Sequence, residues 1–319
     1  MNLNELTDRV ISGGQISREE ATALWNYKDL DSLCEAADRI TRSLLGNEVD
    51  SCSIVNARSG LCGEDCKWCA QSKFHSTGCQ TYDFLEEEKV MEAARRNSEE
   101  GIRRFSLVTS GRSVGKRDVE RYCEVIRRIK KETGLYVCVS MGLLDEERMK
   151  MLADAGVERY HCNMETSSDV FRRLCTTHTP EDKQATIRAA RAAGLDVCSG
   201  GIIGMGETAE ERIDFAFELR ELDVDSVPLN ILNPIPGTPL QDSKGLSEEE
   251  IIRTAALFRF ILPDKAIRFA GGRLALGHDS MLRMLRGGVN GVLMGDMLTT
   301  VSNSIADDKA LFIEADMKF

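Results

Sequence analysis

Beyond residue 45 the chain alternates short β-forming runs with charged stretches of helical periodicity, and this alternation constrains the fold more than any other feature. The β-rich runs cover residues 52–56, 104–108, 136–141, 159–163, 196–203, 226–231, 266–270 and 290–294. The helical stretches cover residues 86–100, 117–132, 145–155, 181–193, 208–222, 247–261 and 278–286. Because about eight such units complete a closed parallel barrel, we predict an α/β fold of the (β/α)8 TIM type. An open doubly wound sheet is the alternative, although no Gly-x-Gly-x-x-Gly motif opens the first unit.

The two ends of the chain fall outside this alternation. Residues 1–45 have the pattern of amphipathic helices, and Ser17-Arg18-Glu19-Glu20 fits a capping box. We therefore predict an N-terminal helical lead-in over 1–45, the barrel over 46–300 and a polar C-terminal tail over 301–319.

Composition excludes several classes of function. A hydrophobic content of 42% in 319 residues is enough for a large core. Eleven cysteines without an apolar N-terminal stretch indicate a reducing cytoplasm and metal chemistry rather than disulfides. No apolar run is long enough to span a membrane, so we expect no membrane partner. The net charge of -11 disfavours nucleic acid, because phosphate binding needs a basic surface.

Cys62, Cys66 and Cys69 form a Cys-x3-Cys-x2-Cys triplet on a short polar loop that begins with Gly60. Three thiolates from one loop can hold three irons of a [4Fe-4S] cluster and leave the fourth iron open to another ligand. Zinc is the alternative, but closed zinc sites use four ligands, and no second cysteine or histidine pair stands nearby.

This triplet resembles the signature of the radical SAM superfamily, whose open iron binds S-adenosyl-L-methionine (SAM) and whose cleavage of SAM yields a 5′-deoxyadenosyl radical. Residues 66–72, 163–167, 197–208 and 237–240, read in order, resemble motifs of the biotin synthase family. The matching motifs extend from about residue 52 to 300 and so cover most of the chain. The resemblance implies sulfur insertion into dethiobiotin to give biotin, with the radical as the reactive group and no side chain acting as acid or base.

The resemblance also implies which residues bind SAM at the mouth of the barrel. Asn163 and Glu165 match positions that contact its ribose and methionine parts. Lys183 stands where some members carry an arginine, and a solvated helix lysine is the alternative. Glycines after the fifth strand let a cofactor approach the backbone closely, although they also suit a tight turn. The full set of implied cofactor-binding residues is Trp68, Asn163, Glu165, Lys183, Gly201, Gly204 and Glu207.

The implied substrate, dethiobiotin, carries a ureido ring on an aliphatic acid. Asn163, Asn230, Thr299 and Thr300 match the substrate contacts of the family. A buried asparagine needs hydrogen-bond partners in any case, so a structural role for Asn230 is the alternative. His161 replaces an asparagine of many members, which alters the expected contact with the ring.

In better-known members the sulfur comes from an auxiliary iron–sulfur cluster held inside the barrel by three cysteines and an arginine. Cys138, Cys198 and Arg268 match three of these positions, but the fourth is Ser106. Serine is a poor ligand for iron–sulfur clusters, so this part of the usual site is missing.

Cys162 lies on the strand between those of Cys138 and Cys198, and we predict it as the replacement, with a four-iron cluster as the result. Strand alternation opposes this, because Cys162 and Asn163 point to opposite faces. A core thiol is the alternative for Cys162, and Cys175 is the reserve ligand. The other cysteines outside the triplet, Cys34, Cys52, Cys79 and Cys123, are interpreted as ordinary thiols.

The resemblance further implies an electron donor such as flavodoxin or ferredoxin, and a homodimer. Two other functions remain open from the sequence. A related radical SAM maturase or mutase without sulfur insertion is favoured by Ser106 and opposed by Asn230 and Arg268. A non-catalytic iron–sulfur carrier would not need the glycine-rich segment that follows the fifth strand.

Overall fold

Parallel strands close into a barrel in the computed structural model, which describes residues 1–295 and 303–319. The strands are β1 (Asp50–Arg58), β2 (Arg104–Thr109), β3 (Tyr136–Ser140), β4 (Arg159–His161), β5 (Asp196–Cys198), β6 (Gly201–Ile203), β7 (Ser226–Ile231), β8 (Ala266–Phe269) and β9 (Gly291–Leu293). Ser199 and Gly200 divide one barrel position into β5 and β6, and both parts pair with β7. The sheet therefore closes with eight strand positions, which confirms the predicted (β/α)8 fold.

Helices follow the strands around the outside of the barrel. In the described residues they are α1 (Leu3–Ile11), α2 (Arg18–Trp25), α3 (Leu30–Leu45), α4 (Glu87–Glu99), α5 (Lys116–Thr133), α6 (Glu146–Asp154), α7 (Ser168–Leu174), α8 (Pro180–Ala192), α9 (Ala209–Glu221), α10 (Glu248–Ile261), α11 (His278–Leu285) and α12 (Ile305–Glu314). The capping box at Ser17 is present. The short α7 was absent from the predicted set, and α12 lies within the segment predicted as a polar C-terminal tail. No described helix has the length and apolarity needed to cross a membrane.

The described part of the C-terminal tail packs against the barrel. Asp308 on α12 is fully buried and accepts two hydrogen bonds from Arg273, at 2.8 and 2.7 Å. The N–H of Val49 donates to the carbonyl of Lys318 at 2.8 Å, which ties the chain end to the start of β1. Residues 303–319 therefore pack against the core, while the boundary predicted at residue 300 lies outside the described residues.

Strand alternation decides which side chains enter the barrel. Side chains of neighbouring parallel strands that share a register position point to the same face. The registered pairs Ser106 with Cys138, Cys138 with Arg159, and His161 with Cys198 therefore lie on one face. These residues line the cavity inside the barrel. The alternate positions carry apolar residues that pack beneath the helices: Phe105, Val137, Tyr160 and Val197.

Candidate active site

A cavity of about 450 Å³ opens at the C-terminal ends of the strands and continues into the barrel. In this fold that end carries the loops that build active sites. The predicted site residues that line the cavity are Cys62, Cys66, Trp68, Cys69, Cys138, Cys162, Asn163, Glu165, Lys183, Cys198, Asn230 and Arg268. Both predicted clusters therefore open onto the same space.

The loop after β1 presents the three cysteines of the triplet. Two backbone bonds hold Cys62, which donates from its N–H to the carbonyl of Gln71 and accepts from the N–H of Lys73, each at 2.9 Å. The N–H of Cys69 donates to the carbonyl of Cys66 at 3.0 Å, which curls the loop back on itself. Burial raises the pKa of Cys69 to about 11, so a bound metal has to displace the thiol proton.

A fourth thiol lies beside this loop. The Sγ of Cys175 is 3.7 Å from the Sγ of Cys66 and 3.2 Å from Nδ1 of His178. Nδ1 of His178 is also 2.6 Å from a carboxylate oxygen of Glu64. Ligand atoms of Cys66, Cys175 and His178 all lie within 4.8 Å of one another. The structure therefore places Cys175 at the first cluster site, so its interpretation as a reserve ligand inside the barrel is not supported.

Three of the predicted SAM contacts form a connected group at the ends of β4 and α8. Nζ of Lys183 donates to the carbonyl of Asn163 at 2.8 Å, and Nδ2 of Asn163 donates to Glu165 at 3.3 Å. Glu165 has a positive φ of 74°, an uncommon conformation for a residue with a side chain. Burial raises the pKa of its carboxyl group. Lys183 is buried, so it is not the solvated helix lysine that the sequence allowed.

Trp68 is the aromatic residue among the predicted SAM contacts. It lines the cavity, and its ring meets the edge of Phe171 with the centroids 5.9 Å apart. The indole is therefore held in place by α7, the short helix that the sequence pattern did not predict.

Three predicted SAM contacts are not among the described residues that line the cavity: Gly201, Gly204 and Glu207. They lie behind its surface. A Cβ on Gly201 would lie 2.1 Å from the carbonyl oxygen of Glu165, so the close approach requires glycine. The carboxylate of Glu207 accepts from the N–H groups of Gly204 and Met205, each at 2.7 Å. It also accepts from the buried Arg212 at 3.0 Å. Their predicted contact with SAM stays a prediction.

Asn230 lines the cavity but is already engaged by the backbone. Its Nδ2 donates to the carbonyl of Gly201 at 3.0 Å, and its Oδ1 accepts from the N–H of Gly271 at 2.9 Å. The structural role considered for Asn230 is therefore real, and a substrate contact would use its remaining hydrogen-bonding capacity. Thr299 and Thr300 lie outside the described residues.

Deeper in the barrel, the structure brings Cys138, Cys198 and Arg268 together and adds Cys52 to them. The thiols of Cys52 and Cys138 interact directly, and this hydrogen bond lowers the pKa of Cys52 to about 6 while it raises that of Cys138. Burial acts to raise the pKa of Cys198, but the charges of His161 and Arg268 lower it below the usual value. Cys52, interpreted from the sequence as an ordinary thiol, therefore lies on the cavity beside Cys138.

Cys162 does not join this group. Its neighbour His161 pairs in register with Cys198 and hydrogen-bonds to it, so strand alternation turns the thiol of Cys162 away from Cys198, although Cys162 borders the cavity. Cys162 belongs to the buried apolar core, and the charges that act on its thiol are those of Lys183 and Glu165. Strand alternation already opposed Cys162 at the level of the sequence. The same rule explains why the geometry does not support this residue as the replacement ligand.

Cys52 carries a signal that the sequence reasoning missed. It lies on β1, beside the strand that carries Ser106, and Ile54 two residues later registers with Ser106. Cys52 and Ile54 are two residues apart and so share one face of β1, the face that carries Ser106 on the next strand. The alternation rule that opposes Cys162 therefore favours Cys52. Beneath these thiols lies Asp50, which pairs with Arg104 at 2.7 Å and Arg268 at 2.9 Å.

Comparison with known proteins assigns the site to a class. The profile of the radical SAM superfamily matches residues 58–219, and that of the Biotin and Thiamin Synthesis associated domain matches residues 228–318. The barrel and its cysteine loop are those of a radical SAM enzyme.

Full-length relatives narrow this class. A biotin synthase of Parabacteroides distasonis is 46% identical over 312 residues, which cover 98% of this chain and 95% of that protein. A biotin synthase of Porphyromonas gingivalis is 48% identical over 309 residues, or 97% of this chain and 94% of that one. The chain therefore belongs to the biotin synthase family.

Solved structures support the fold. Methylornithine synthase superposes with a TM-score of 0.86 at 22% identity, covering 98% of this chain and 96% of its own. The FeFe-hydrogenase maturase HydG from Carboxydothermus hydrogenoformans gives a TM-score of 0.81 at 17% identity, covering 99% and 78%. At these identities the likeness concerns the barrel alone.

Proposed function

We propose that this protein converts dethiobiotin to biotin by radical sulfur insertion, with the sulfur supplied by an auxiliary iron–sulfur cluster inside the barrel. One observation carries the proposal: two separate groups of three cysteines open onto the same cavity, with the predicted SAM and substrate residues also lining it. Membership of the biotin synthase family supports the reaction class.

At the mouth, Cys62, Cys66 and Cys69 fit a [4Fe-4S] cluster with one open iron, because one loop supplies three thiols and no more. A cluster held there would supply the 5′-deoxyadenosyl radical by one-electron cleavage of bound SAM. Lys183 and Glu165 line the same part of the cavity and offer opposite charges. We assign Lys183 to the carboxylate of SAM and Glu165 to its hydroxyl groups.

Inside the barrel, Cys52, Cys138 and Cys198 fit an auxiliary cluster, with Cys52 in place of the ligand lost at Ser106. Three thiolates leave one iron of a four-iron cluster without a protein thiolate, and an extra sulfide there would be available for transfer. The charges nearby suit this use, since three arginines, Arg104, Arg159 and Arg268, lie beside the carboxylate of Asp50, and only Arg159 among them pairs with Asp196.

Dethiobiotin would lie between the two clusters. Asn163 and Asn230 offer amide groups to its ureido ring, and Thr299 and Thr300 remain the predicted contacts of its acid tail. Flavodoxin or ferredoxin as electron donor, and a homodimer as the assembly, complete the proposal.

A maturase or mutase without sulfur insertion is the second candidate. Ser106 favoured it because one auxiliary ligand is lost there. Cys52 restores the number of thiols inside the barrel, and this weakens the case for a lost sulfur donor.

The test compares Cys52→Ala with Cys162→Ala after anaerobic reconstitution with iron and sulfide. The parent protein should hold about eight irons per chain, from two four-iron clusters. Cys52→Ala should lose the auxiliary cluster and biotin formation but still release 5′-deoxyadenosine from SAM. Cys162→Ala is the matched control and should keep both clusters. Full biotin formation by Cys52→Ala, or its loss in Cys162→Ala with 5′-deoxyadenosine retained, would contradict the assigned ligands.

A further inference from the structure

We propose that Arg159, rather than Arg268, is the arginine that contacts the auxiliary cluster, donating its Nε–H and Nη1–H to the cluster's sulfur atoms. The inference rests on the proposed function, because it assumes an iron–sulfur cluster among Cys52, Cys138 and Cys198.

Arg159 is a buried cation with unused donors. It is 5% exposed and lines the cavity from β4. Its Nε and Nη1 are buried and have no hydrogen-bond partner within residues 1–295 and 303–319. Its Nη2 donates to Asp196 at 3.3 Å, and its Nη1 is 3.9 Å from Asp50, beyond hydrogen-bond distance. Native proteins rarely leave such groups unpaired, so a missing anionic acceptor is indicated at this position.

The neighbours of Arg159 locate that acceptor. Arg159 pairs in register with Cys138 on the adjacent strand, so the two side chains share the interior face of the barrel. The negative charges that act on its guanidinium are led by those of Cys198 and Cys138. An anionic cluster on these two thiolates would lie within reach of the free donors.

Arg268 has a different environment. Its Nη1 donates to the carbonyl of Asp50 at 3.1 Å, and its Nη2 donates to the carboxylate of Asp50 at 2.9 Å. Its Nε donates to Ser226 at 3.3 Å. Every nitrogen of Arg268 therefore has a partner, whereas two of the three nitrogens of Arg159 have none. Four of the five N–H donors of Arg268 are engaged, since its Nη2 also donates to Ser226 at 3.2 Å, whereas Nε and Nη1 of Arg159 are both available.

The charge balance leads to the same residue. Asp50 forms close ion pairs with Arg104 and Arg268, so its single negative charge is already shared. Arg159 pairs with Asp196 at 3.3 Å, but Asp196 is about half exposed and does not line the cavity, so the buried guanidinium is only partly neutralised, which favours a cluster with net negative charge. Hydrogen bonds and positive charge near cluster sulfur atoms favour the reduced form, so Arg159 should raise the cluster's reduction potential.

The test isolates the auxiliary cluster by replacing all three mouth cysteines with alanine. In this triple-alanine background the protein should reconstitute with about four irons per chain. Arg159→Gln should shift the midpoint potential to a more negative value or lower the iron content. Arg159→Lys keeps the charge and should restore the iron content. The reduced protein labelled with ¹⁵N-arginine should show, by electron–nuclear spectroscopy, coupling between the cluster's electron spin and an arginine nitrogen. This coupling should disappear in Arg159→Lys and remain in Arg268→Lys.

The outcomes separate the two proposals. No iron in the triple-alanine background would overturn the auxiliary cluster itself, and the role of Arg159 with it. A normal cluster whose ¹⁵N coupling survives in Arg159→Lys and disappears in Arg268→Lys would leave the proposed function intact and overturn this inference. The labelled parent and the lysine variants give this answer even if Arg159→Gln does not fold.

Discussion

Replacing Glu207 by glutamine should destabilise the fold, although the sequence assigns this residue to SAM. Its side chain is 1% exposed and receives hydrogen bonds from two backbone N–H groups and from Arg212 at 3.0 Å. Arg212 is 3% exposed, and its only other ion-pair partner in the described chain is Glu250 at 3.6 Å. Removing one partner of a buried ion pair costs about 3–5 kcal/mol. The remaining contact with Glu250 places the expected loss near the lower end, about 3 kcal/mol.

Urea unfolding of the anaerobically reconstituted protein, followed by far-ultraviolet circular dichroism, measures this loss. The control is Glu100→Gln, which removes an exposed pair with Lys309 at 2.9 Å and should cost at most about 1 kcal/mol. Equilibrium dialysis with labelled SAM should show nearly unchanged affinity in Glu207→Gln under conditions where it remains folded. Parent-like stability combined with a large loss of SAM affinity would refute the structural role and restore Glu207 as a direct cofactor contact.

Two further predictions concern the mouth and the middle of the cavity. Cys66→Ala should abolish release of 5′-deoxyadenosine under dithionite, because two protein thiolates leave the cluster labile; substantial release would show that Cys175 substitutes for the missing ligand. Asn230→Ala should lower the free energy of unfolding by about 1–3 kcal/mol, because two buried backbone groups lose their partner. Calorimetry should also show weaker dethiobiotin binding with SAM affinity nearly unchanged, and an unchanged affinity for dethiobiotin would leave Asn230 with its structural role alone.

The barrel could be predicted from the sequence because each unit repeats the same local pattern, and every predicted β-run contains a strand. The cysteine triplet could be predicted equally well, since its three ligands lie close together in the sequence within one loop. The inner site was harder, because its members come from separate strands and only the register brings them together. Cys162 was preferred because of its strand, but the sequence argument gave too little weight to which face of that strand the thiol occupies. Cys52 was overlooked because a lone cysteine in a β-run looks like any core thiol.

The buried salt-bridge network at the bottom of the barrel has a consequence for how the enzyme is assembled. Arg104 and Arg268, joined through Asp50, are buried and occupy the end of the interior away from the mouth. Iron and sulfide destined for the inner thiols therefore have to enter past the loop of Cys62, Cys66 and Cys69. We therefore expect the deep site to load before the mouth site, and sulfur that is replenished after turnover to follow the same path.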